Sequence, residues 1–424
     1  MTEAATSTTS TRTTDAAVRD MYAAYPYPAG PPALRAGYDV RHLLSRGRLS
    51  RTDTGAAGRR LRVLDAGCGR GVGLIGEASV QPEVDYLGID LNTRALADVE
   101  RQAHERGLTN VRTAEVDLAT LDGLEVPEGG FDVIRSSGVV HHLDDPTAAL
   151  ARLADTALAP HGIVTLMVYG REGRAPIGRV ARVVQAGTDP ALPMDARIAA
   201  ARALCTAVAD PTDAACPFTE AARCPEVEFV DRYLHPRERY YGIVDLIEAV
   251  TEAGFVPLEL SDGELWSPAR WIEDARVRAS VERLPAAQQL AAVDAIACPA
   301  RLEALLCLPG NGPREALSAH DLADHALFVN GEVRFVVSTR VAPSGLRVEQ
   351  VEVARHGGEP TALPSGPLSL AAWILSTTEG PFTGRDLVRA LTERGVPAAE
   401  AERTLGELFA ADLVYAPHPC DANA

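Results

Sequence analysis

Between Leu61 and Tyr169, short apolar runs take turns with amphipathic stretches. LRVLDA, DYLGID, VRTAEVD, FDVIRSS and GIVTLMVYG read as strands, and helical stripes run through Leu74 to Ala78, from Arg94 to Arg106 and along TAALARLADTAL. Strands that alternate with helices bury both faces of a mostly parallel sheet, so the pattern predicts an α/β fold with a Rossmann-like, doubly wound architecture. The run VDLIEAVTEAGFVPLEL reads as helix, glycine stop and strand, the unit expected to complete that sheet.

Outside this stretch the periodicity changes. Residues 1–15 form a Ser/Thr/Ala tract with few apolar positions, expected to be disordered. A short helix then ends near Pro26 in a proline-rich turn that carries Tyr22, Tyr25 and Tyr27. Residues 171–230 are rich in Ala and Arg and interrupted by Pro190, Pro193, Pro211 and Pro217, which predicts a helical insertion. Helical patterns dominate 269–328, and strand patterns follow at EVRFVVSTRV and LRVEQVEVAR. A Pro/Gly-rich linker leads to a last segment with three helical stripes and a terminal apolar strand. The expected division is a tail over 1–15, a cofactor-binding domain over 16–265 that includes the insertion, a helical and stranded extension over 266–360, and a small winged-helix-like α+β module over 361–424.

Composition narrows the function. A chain of 424 residues exceeds what one hydrophobic core usually serves, in keeping with several domains. All 41 basic residues are Arg, and the formal net charge is -17. Binding a polyanion needs a concentrated basic face, so nucleic acid is not an expected partner. The 7 cysteines are widely spread with no CxxC pair, which points to reduced thiols and no metal site. No apolar run reaches the length of a membrane span and no apolar leader core follows Met1, so a cytoplasmic protein without membrane contact is expected.

The chemistry concentrates at Val63-Leu64-Asp65-Ala66-Gly67-Cys68-Gly69-Arg70-Gly71, where a strand turns through alternate glycines into a helix. Glycine at Gly67 and Gly69 lets the backbone approach a ligand where any side chain would collide with it. Asp65, just ahead of the first glycine, can engage the charged amino group of a methionine moiety and would repel a pyrophosphate. Asp90 ends the next strand, where a carboxylate can accept two hydrogen bonds from a ribose diol. Asp117 ends the third, placed for the exocyclic amine of an adenine, and Ser136, Ser137 and Gly138 on the fourth pass beneath the cofactor. Gly71-Val72-Gly73-Leu74-Ile75-Gly76 also satisfies the dinucleotide fingerprint GxGxxG. That match starts one turn too late, because the first tight turn is at Gly67, and it leaves Asp117 and the His141–His142 pair without a role.

The ladder of D-x-G-x-G-x-G, strand-end Asp, second Asp and HHL-D-P resembles class I S-adenosylmethionine-dependent methyltransferases of the methyltransferase-11/25 type over about residues 61–170. The resemblance implies that Asp65, Gly67, Gly69, Asp90 and Asp117 bind S-adenosyl-L-methionine, with Cys68, Leu91, Leu118 and Ser137 beside them. YPYP, YGREGR and FVDRYLHPRERYY resemble a bacterial subfamily with a long C-terminal extension, a likeness that names no substrate. Relatives that methylate nucleobase amines carry Asn or Asp before Pro-Pro-aromatic after the fourth strand, where RSSGVVHH stands here.

Methyl transfer from a sulfonium is an in-line displacement, so the protein must align an acceptor lone pair and, where needed, remove a proton. His141 or His142 is a candidate base, since an imidazole titrates near neutral pH, and the competing role is to shape the pocket. A metal held by HHLDD is disfavoured, because neighbouring side chains on a strand point to opposite faces. Asp231, His235, Tyr240 and Tyr241, in a loop over the expected pocket mouth, and Tyr22, Tyr25 and Tyr27, in an N-terminal lid, are candidate substrate contacts. In the last module Arg385, Arg389, Arg394 and Arg403 alternate with acids, a solvated mixed-charge surface that fits scaffolding or a homodimer better than DNA. The reading is methyl transfer to a small-molecule or peptide acceptor, and the alternative is a catalytically silent cofactor-binding regulator acting through the C-terminal module.

Overall fold

The computed structural model describes residues 16–28, 39–47, 59–210, 212–213, 215–260, 263–310, 322–342, 345–355, 359–378 and 380–416, so the expected tail over 1–15 lies outside the described residues. The chain divides into two compact units, one of residues 1–36 and 61–310, the other of residues 37–60 and 311–424.

The first unit is built on seven strands: β1 (Leu61–Ala66), β2 (Val84–Asp90), β3 (Val111–Glu115), β4 (Phe131–Ser137), β5 (Leu158–Tyr169), β6 (Val256–Leu260) and β7 (Arg301–Cys307). They lie in the order β3-β2-β1-β4-β5-β7-β6. Pairing is parallel from β3 through β5, and β7 runs antiparallel to both β5 and β6. Helices cover both faces, which is why the central strands concentrate buried apolar residues: Leu64, Ile89, Ile134, Val164 and Leu306 are fully buried in one core. The mostly parallel, doubly wound Rossmann-like sheet expected from the alternating pattern is thus present.

Three features differ from the sequence reading. RLEALLC, inside the stretch expected to be dominated by helices, is strand β7, and it inserts between β5 and β6. A seven-residue apolar run fits either period, and only its pairing partners decide it. The sheet therefore continues to Cys307, beyond the 16–265 span expected for the domain. The segment FVDRY, expected as a loop, forms the end of the helix Glu226–Tyr233. His141 and His142 lie in the short 3-10 turn Val140–His142 instead of on a strand.

The chain crosses from one half of the sheet to the other between β1, flanked by β2, and β4. The crevice beyond the carboxyl ends at this switch point is where such sheets hold ligands. One buried ion cluster ties its parts together. Arg135 on β4 lies opposite Asp65 of β1 in the parallel register and donates to Asp65 Oδ2 at 2.5 Å. It also donates to Glu77 of the helix Val72–Val80, which starts at the glycine loop. All three side chains are buried. Burial opposes the guanidinium charge, but the two carboxylates outweigh it and hold Arg135 protonated. A Cβ on Gly73 would lie 3.1 Å from Arg135 Nη1, so the glycine leaves the guanidinium its room.

The insertion is helical, as expected, with Arg171–Gly187, Met194–Val208, Pro217–Arg223 and Glu226–Tyr233 enclosing Val180, Val184, Ile198, Cys205, Phe229 and Tyr233. Met21, on the helix over residues 16–24, joins this core.

In the second unit the helices Pro367–Leu375, Gly384–Thr392 and Ala398–Ala410 pack around Leu375, Leu387, Leu391, Leu405 and Leu408. Strand Ala326–Val329 pairs antiparallel with both Phe382–Thr383 and Val414–Tyr415. Thr383 and Asp386 form a capping box at the start of Gly384–Thr392. The unit also includes Val40–Gly47 and the hairpin of Val333–Ala342 with Gly345–Arg355, so it draws on chain outside the 361–424 segment. Fully buried His42 binds it together: Nε2 lies 2.7 Å from Asp412, Nδ1 lies 3.4 Å from Glu332, and the ring packs on Tyr415. Among the described residues no helix is long and apolar enough to cross a membrane.

Two outcomes follow from these buried charges. Arg135→Met strands two carboxylates in the core and should lower stability by about 3–5 kcal/mol in chemical denaturation, whereas adding Asp65→Asn and Glu77→Gln to it should recover most of that loss. For His42, burial pulls the imidazole pKa down, and the hydrogen bonds and charges of Asp412 and Glu332 overcome this and lift it from 6.5 to about 9. The folded pKa exceeds the unfolded one, so its stabilisation is complete below pH 6.5 and fades as pH rises through about 9. With Trp266 and Trp271 replaced by Phe so that Trp373 is the sole tryptophan, the denaturation midpoint of the second unit should fall between pH 6.5 and 9 by the equivalent of about 3 kcal/mol, and His42→Gln should flatten that profile.

Candidate active site

The glycine loop is shaped by its backbone. Gly67, Gly69 and Gly71 have φ of +87°, +51° and +75°, a left-handed run that side chains resist. A Cβ on Gly67 would meet Val139 Cγ2 at 2.4 Å, whereas the Cβ position of Gly69 meets only the Tyr27 carbonyl at 3.9 Å. The amides of Gly67 and Cys68 both donate to Ile89 O at 2.9 Å, which clamps the loop to the end of β2.

Three carboxylates stand at the carboxyl ends of adjacent strands β1, β2 and β3. Asp65 Oδ2 is held by Arg135, and Oδ1 has no hydrogen-bond partner among the described residues. Asp90 accepts the Gly69 amide on Oδ2 and the Asn92 amide on Oδ1, each at 2.8 Å, and keeps a lone pair on each oxygen for a diol. Burial raises its pKa against the pull of those amides. Asp117 accepts the Ala119 amide at 2.8 Å, beside buried Leu118. On β4, Ser136 is buried and donates to Ala66 O, so it ties strands together, while Ser137 is exposed at the strand end. Cys68 is buried in the loop and Leu91 is half-buried after Asp90. This donor set fits an aminoacyl group, a ribose and an adenine laid across β1, β2 and β3.

The segment over residues 16–28 closes over this end through its carbonyls. Asn92 Nδ2 donates to Tyr22 O at 2.8 Å, Arg94 to Ala23 O at 3.0 Å and Arg70 to Pro28 O at 2.8 Å.

Beyond the ends of β4 and β5 lies a cluster of rings and charges. His141 packs on Tyr169 with centroids 4.1 Å apart and on His142 at 4.2 Å, and His142 stacks on His235 at 4.0 Å. Tyr22 meets the edge of His235 at 5.6 Å, and its hydroxyl donates to Asp231 Oδ1 at 3.1 Å. Arg174 lies 3.4 Å above the Tyr169 ring and 3.2 Å from Glu238, which in turn accepts the Tyr240 hydroxyl. His142 Nδ1 donates to Arg237 O at 3.0 Å, leaving Nε2 as an acceptor, and His235 Nδ1 accepts the Arg237 amide. His141 Nδ1 and Nε2, His235 Nε2 and Arg174 Nε are buried without a hydrogen-bond partner among the described residues. Buried donors and acceptors left open in this way mark a place for a polar ligand.

Burial dominates the titration. It drives His141 and His235 well below their ordinary range and His142 down to about 4, so all three imidazoles are neutral. It raises Asp231 to about 6 despite the Tyr22 bond and Arg174, and Glu238 to about 7 despite Arg174 and Tyr240.

Of the residues singled out from sequence, His141, His142, Tyr22, Asp231 and His235 come together, and Tyr240 joins through Glu238. Tyr25 points away, its hydroxyl donating to Asp195, and Tyr27 sits over Gly69. Tyr241 exchanges backbone bonds with Tyr169 and Arg171 and packs its side chain on the sheet core. In the 3-10 turn the two imidazoles lie side by side instead of on opposite faces, and among the described residues no three His, Cys, Asp or Glu side chains are placed to hold one ion. Arg135, Tyr169, Arg174 and Glu238 went unmarked in the sequence. Arg174 and Glu238 lie within YGREGR and HPRERYY, segments visible as motifs without a role for either charge.

A family model described as a methyltransferase domain matches residues 64–164. An uncharacterised protein of a Synechococcus strain is 32% identical over 60% of this chain and 62% of its own length. A ubiquinone biosynthesis O-methyltransferase of Leptothrix cholodnii is 34% identical over 27% of this chain and 47% of its own, and aklanonic acid methyltransferase DauC of a Streptomyces strain is 36% identical over 31% and 53%. The chain thus spans about half to three fifths of these curated relatives. The structure of PKMT2 from Rickettsia typhi in complex with AdoHcy aligns with a TM-score of 0.62 over 92% of this chain and 77% of that one, at 16% identity, which is a likeness of fold. Residues 64–164 thus match a methyltransferase domain, on a fold shared with a structure that holds AdoHcy.

Proposed function

We propose that the whole chain transfers a methyl group from S-adenosyl-L-methionine to a small-molecule or peptide acceptor. The observation that carries this reading is that the glycine loop with its three carboxylates and the buried cluster of unpartnered polar atoms share one edge of one sheet. Two curated relatives bear the names of metabolite methyltransferases, which supports a metabolite acceptor.

When bound, the cofactor supplies an activated methyl group on a sulfonium. In this reading Gly67 and Gly69 give it a close approach, Asp65 Oδ1 takes its amino group, Asp90 its ribose diol and Asp117 its adenine amine, with Cys68, Leu91, Leu118 and Ser137 beside them. Tyr22, Asp231, His235 and Tyr240 line the acceptor side, and Tyr27 closes over the loop. His141 and His142 are neutral, so they offer open acceptor nitrogens and weak basicity. They orient the acceptor, since an efficient base at neutral pH needs a pKa near that pH.

The test is transfer of labelled methyl from S-adenosylmethionine into host-cell extract, split into small-molecule, protein and nucleic-acid fractions. Label in metabolites or peptides supports the reading, and label confined to nucleic acid overturns the acceptor assignment. Calorimetry supplies a second readout. Asp90→Ala loses the charged acceptor of the diol and should weaken cofactor binding roughly 10- to 100-fold, with label falling in step. Gly67→Ala forces a Cβ to 2.4 Å from Val139 at φ +87° and should likewise weaken it, by about 1–3 kcal/mol. Unchanged binding in both variants would sink the cofactor assignment.

A further inference from the structure

We propose that the acceptor is an amine, taken up as a cation between Asp231, Glu238 and the rings of Tyr22 and Tyr169, with Glu238 taking its proton. This rests on the methyltransferase reading above and adds the chemical class of the substrate.

The cluster holds two carboxylates, Asp231 and Glu238, against one guanidinium, Arg174, and its three imidazoles add no charge because burial keeps them neutral. The neighbouring ions do not restore the balance, since Arg237 pairs with Asp144 at 3.6 Å and Arg232 with both Glu220 and Glu228 at 3.0 Å. With both carboxylates ionised, an excess negative charge faces the acceptor in a setting where water screens little.

A cationic acceptor removes that excess. An alcohol leaves it in place, and a carboxylate acceptor adds to it. The open donors are Arg174 Nε–H, the His235 Nε2–H that a neutral ring accepting at Nδ1 must carry, and one N–H of His141, but the imidazoles bear no charge and Glu238 already answers the guanidinium charge at 3.2 Å. The rings point the same way. One face of Tyr169 already holds the Arg174 guanidinium at 3.4 Å, and the Tyr22 ring lies beside Asp231, which accepts its hydroxyl. Buried His141, with both nitrogens open, offers an acceptor lone pair that an ammonium N–H can meet.

The proton then has a destination. An ammonium has no lone pair and must lose a proton before it can react. Glu238 lies at the end of the Arg174–Tyr169 stack, and its pKa of about 7 lets it accept the proton and release it to water. The freed nitrogen lone pair forms the N–C bond as the S–C bond breaks and its electron pair stays on sulfur. The products are a methylated ammonium and a neutral thioether, with one proton passed to solvent.

The experiment uses the full chain and S-adenosylmethionine labelled with carbon-13 in its methyl group, incubated with host-cell extract and read by carbon NMR, where N-, O-, S- and C-methyl carbons separate. The expected result is an N-methyl signal that falls at least about tenfold in Glu238→Gln and in Asp231→Asn, two near-isosteric changes whose folding is checked by their melting curves. O-, S- or C-methyl signals alone overturn the amine while leaving the methyltransferase reading intact. No new methyl signal of any kind overturns that reading and the amine with it. A binding measurement adds a readout independent of turnover: benzylammonium should bind about tenfold or more tightly than benzyl alcohol, and that preference should vanish in Glu238→Gln. Equal binding of the two probes to the unaltered chain would contradict the proposal.

Discussion

The glycine-loop end of the sheet depends on one buried guanidinium. Arg135 joins the end of β1, the strand beside it and the helix that leaves the glycine loop, because Asp65 and Glu77 come from two of those elements and Arg135 from the third. A loop of three left-handed glycines has little stiffness of its own. Its shape is imposed from below by an ion cluster that cannot relax without exposing a charge to the core. Of the two Asp65 oxygens, this leaves one committed to the protein and the other available on the ligand side.

The acceptor side is organised by burial more than by individual bonds. Enclosing three imidazoles, two carboxylates and several phenols in one cluster pushes each toward its uncharged form, imidazoles downward and carboxylates upward. Histidine, usually the group that titrates near neutrality, is thereby withdrawn from that range, and carboxylates move into it. The same packing that builds the site therefore exchanges the ordinary roles of its side chains.

The alternating half of the fold was legible because parallel strands covered on both faces concentrate apolar residues, which LRVLDA, DYLGID and FDVIRSS do despite Asp65, Asp90 and Arg135. The strand Arg301–Cys307 was not legible, since a seven-residue apolar run lacks the length to separate helix from strand, and its identity comes from partners far away in sequence. The position of Asp90 at a strand end could be read, but the two amides that hold it could not. Among the residues around His141 the aromatic and histidine motifs stood out, whereas YGREGR and HPRERYY single out neither Arg174 nor Glu238. Nothing local distinguishes a buried ion pair from a solvated one. The boundary of the second unit was similarly hidden, because Val40–Gly47 reaches it through His42, more than 280 residues from Asn330 in sequence.

The N-terminal segment is held over the cofactor loop by bonds from Asn92, Arg94 and Arg70 to carbonyl oxygens of Tyr22, Ala23 and Pro28. A main-chain carbonyl is present whatever side chain the residue bears. Different parts of the same residues thereby do different work: the backbone fastens the segment, and the side chain of Tyr22 is left to meet Asp231 and His235. Such a division lets the clasp over the glycine loop persist whichever side chains stand at Tyr22, Ala23 and Pro28, while Met21 anchors the segment in the helical core.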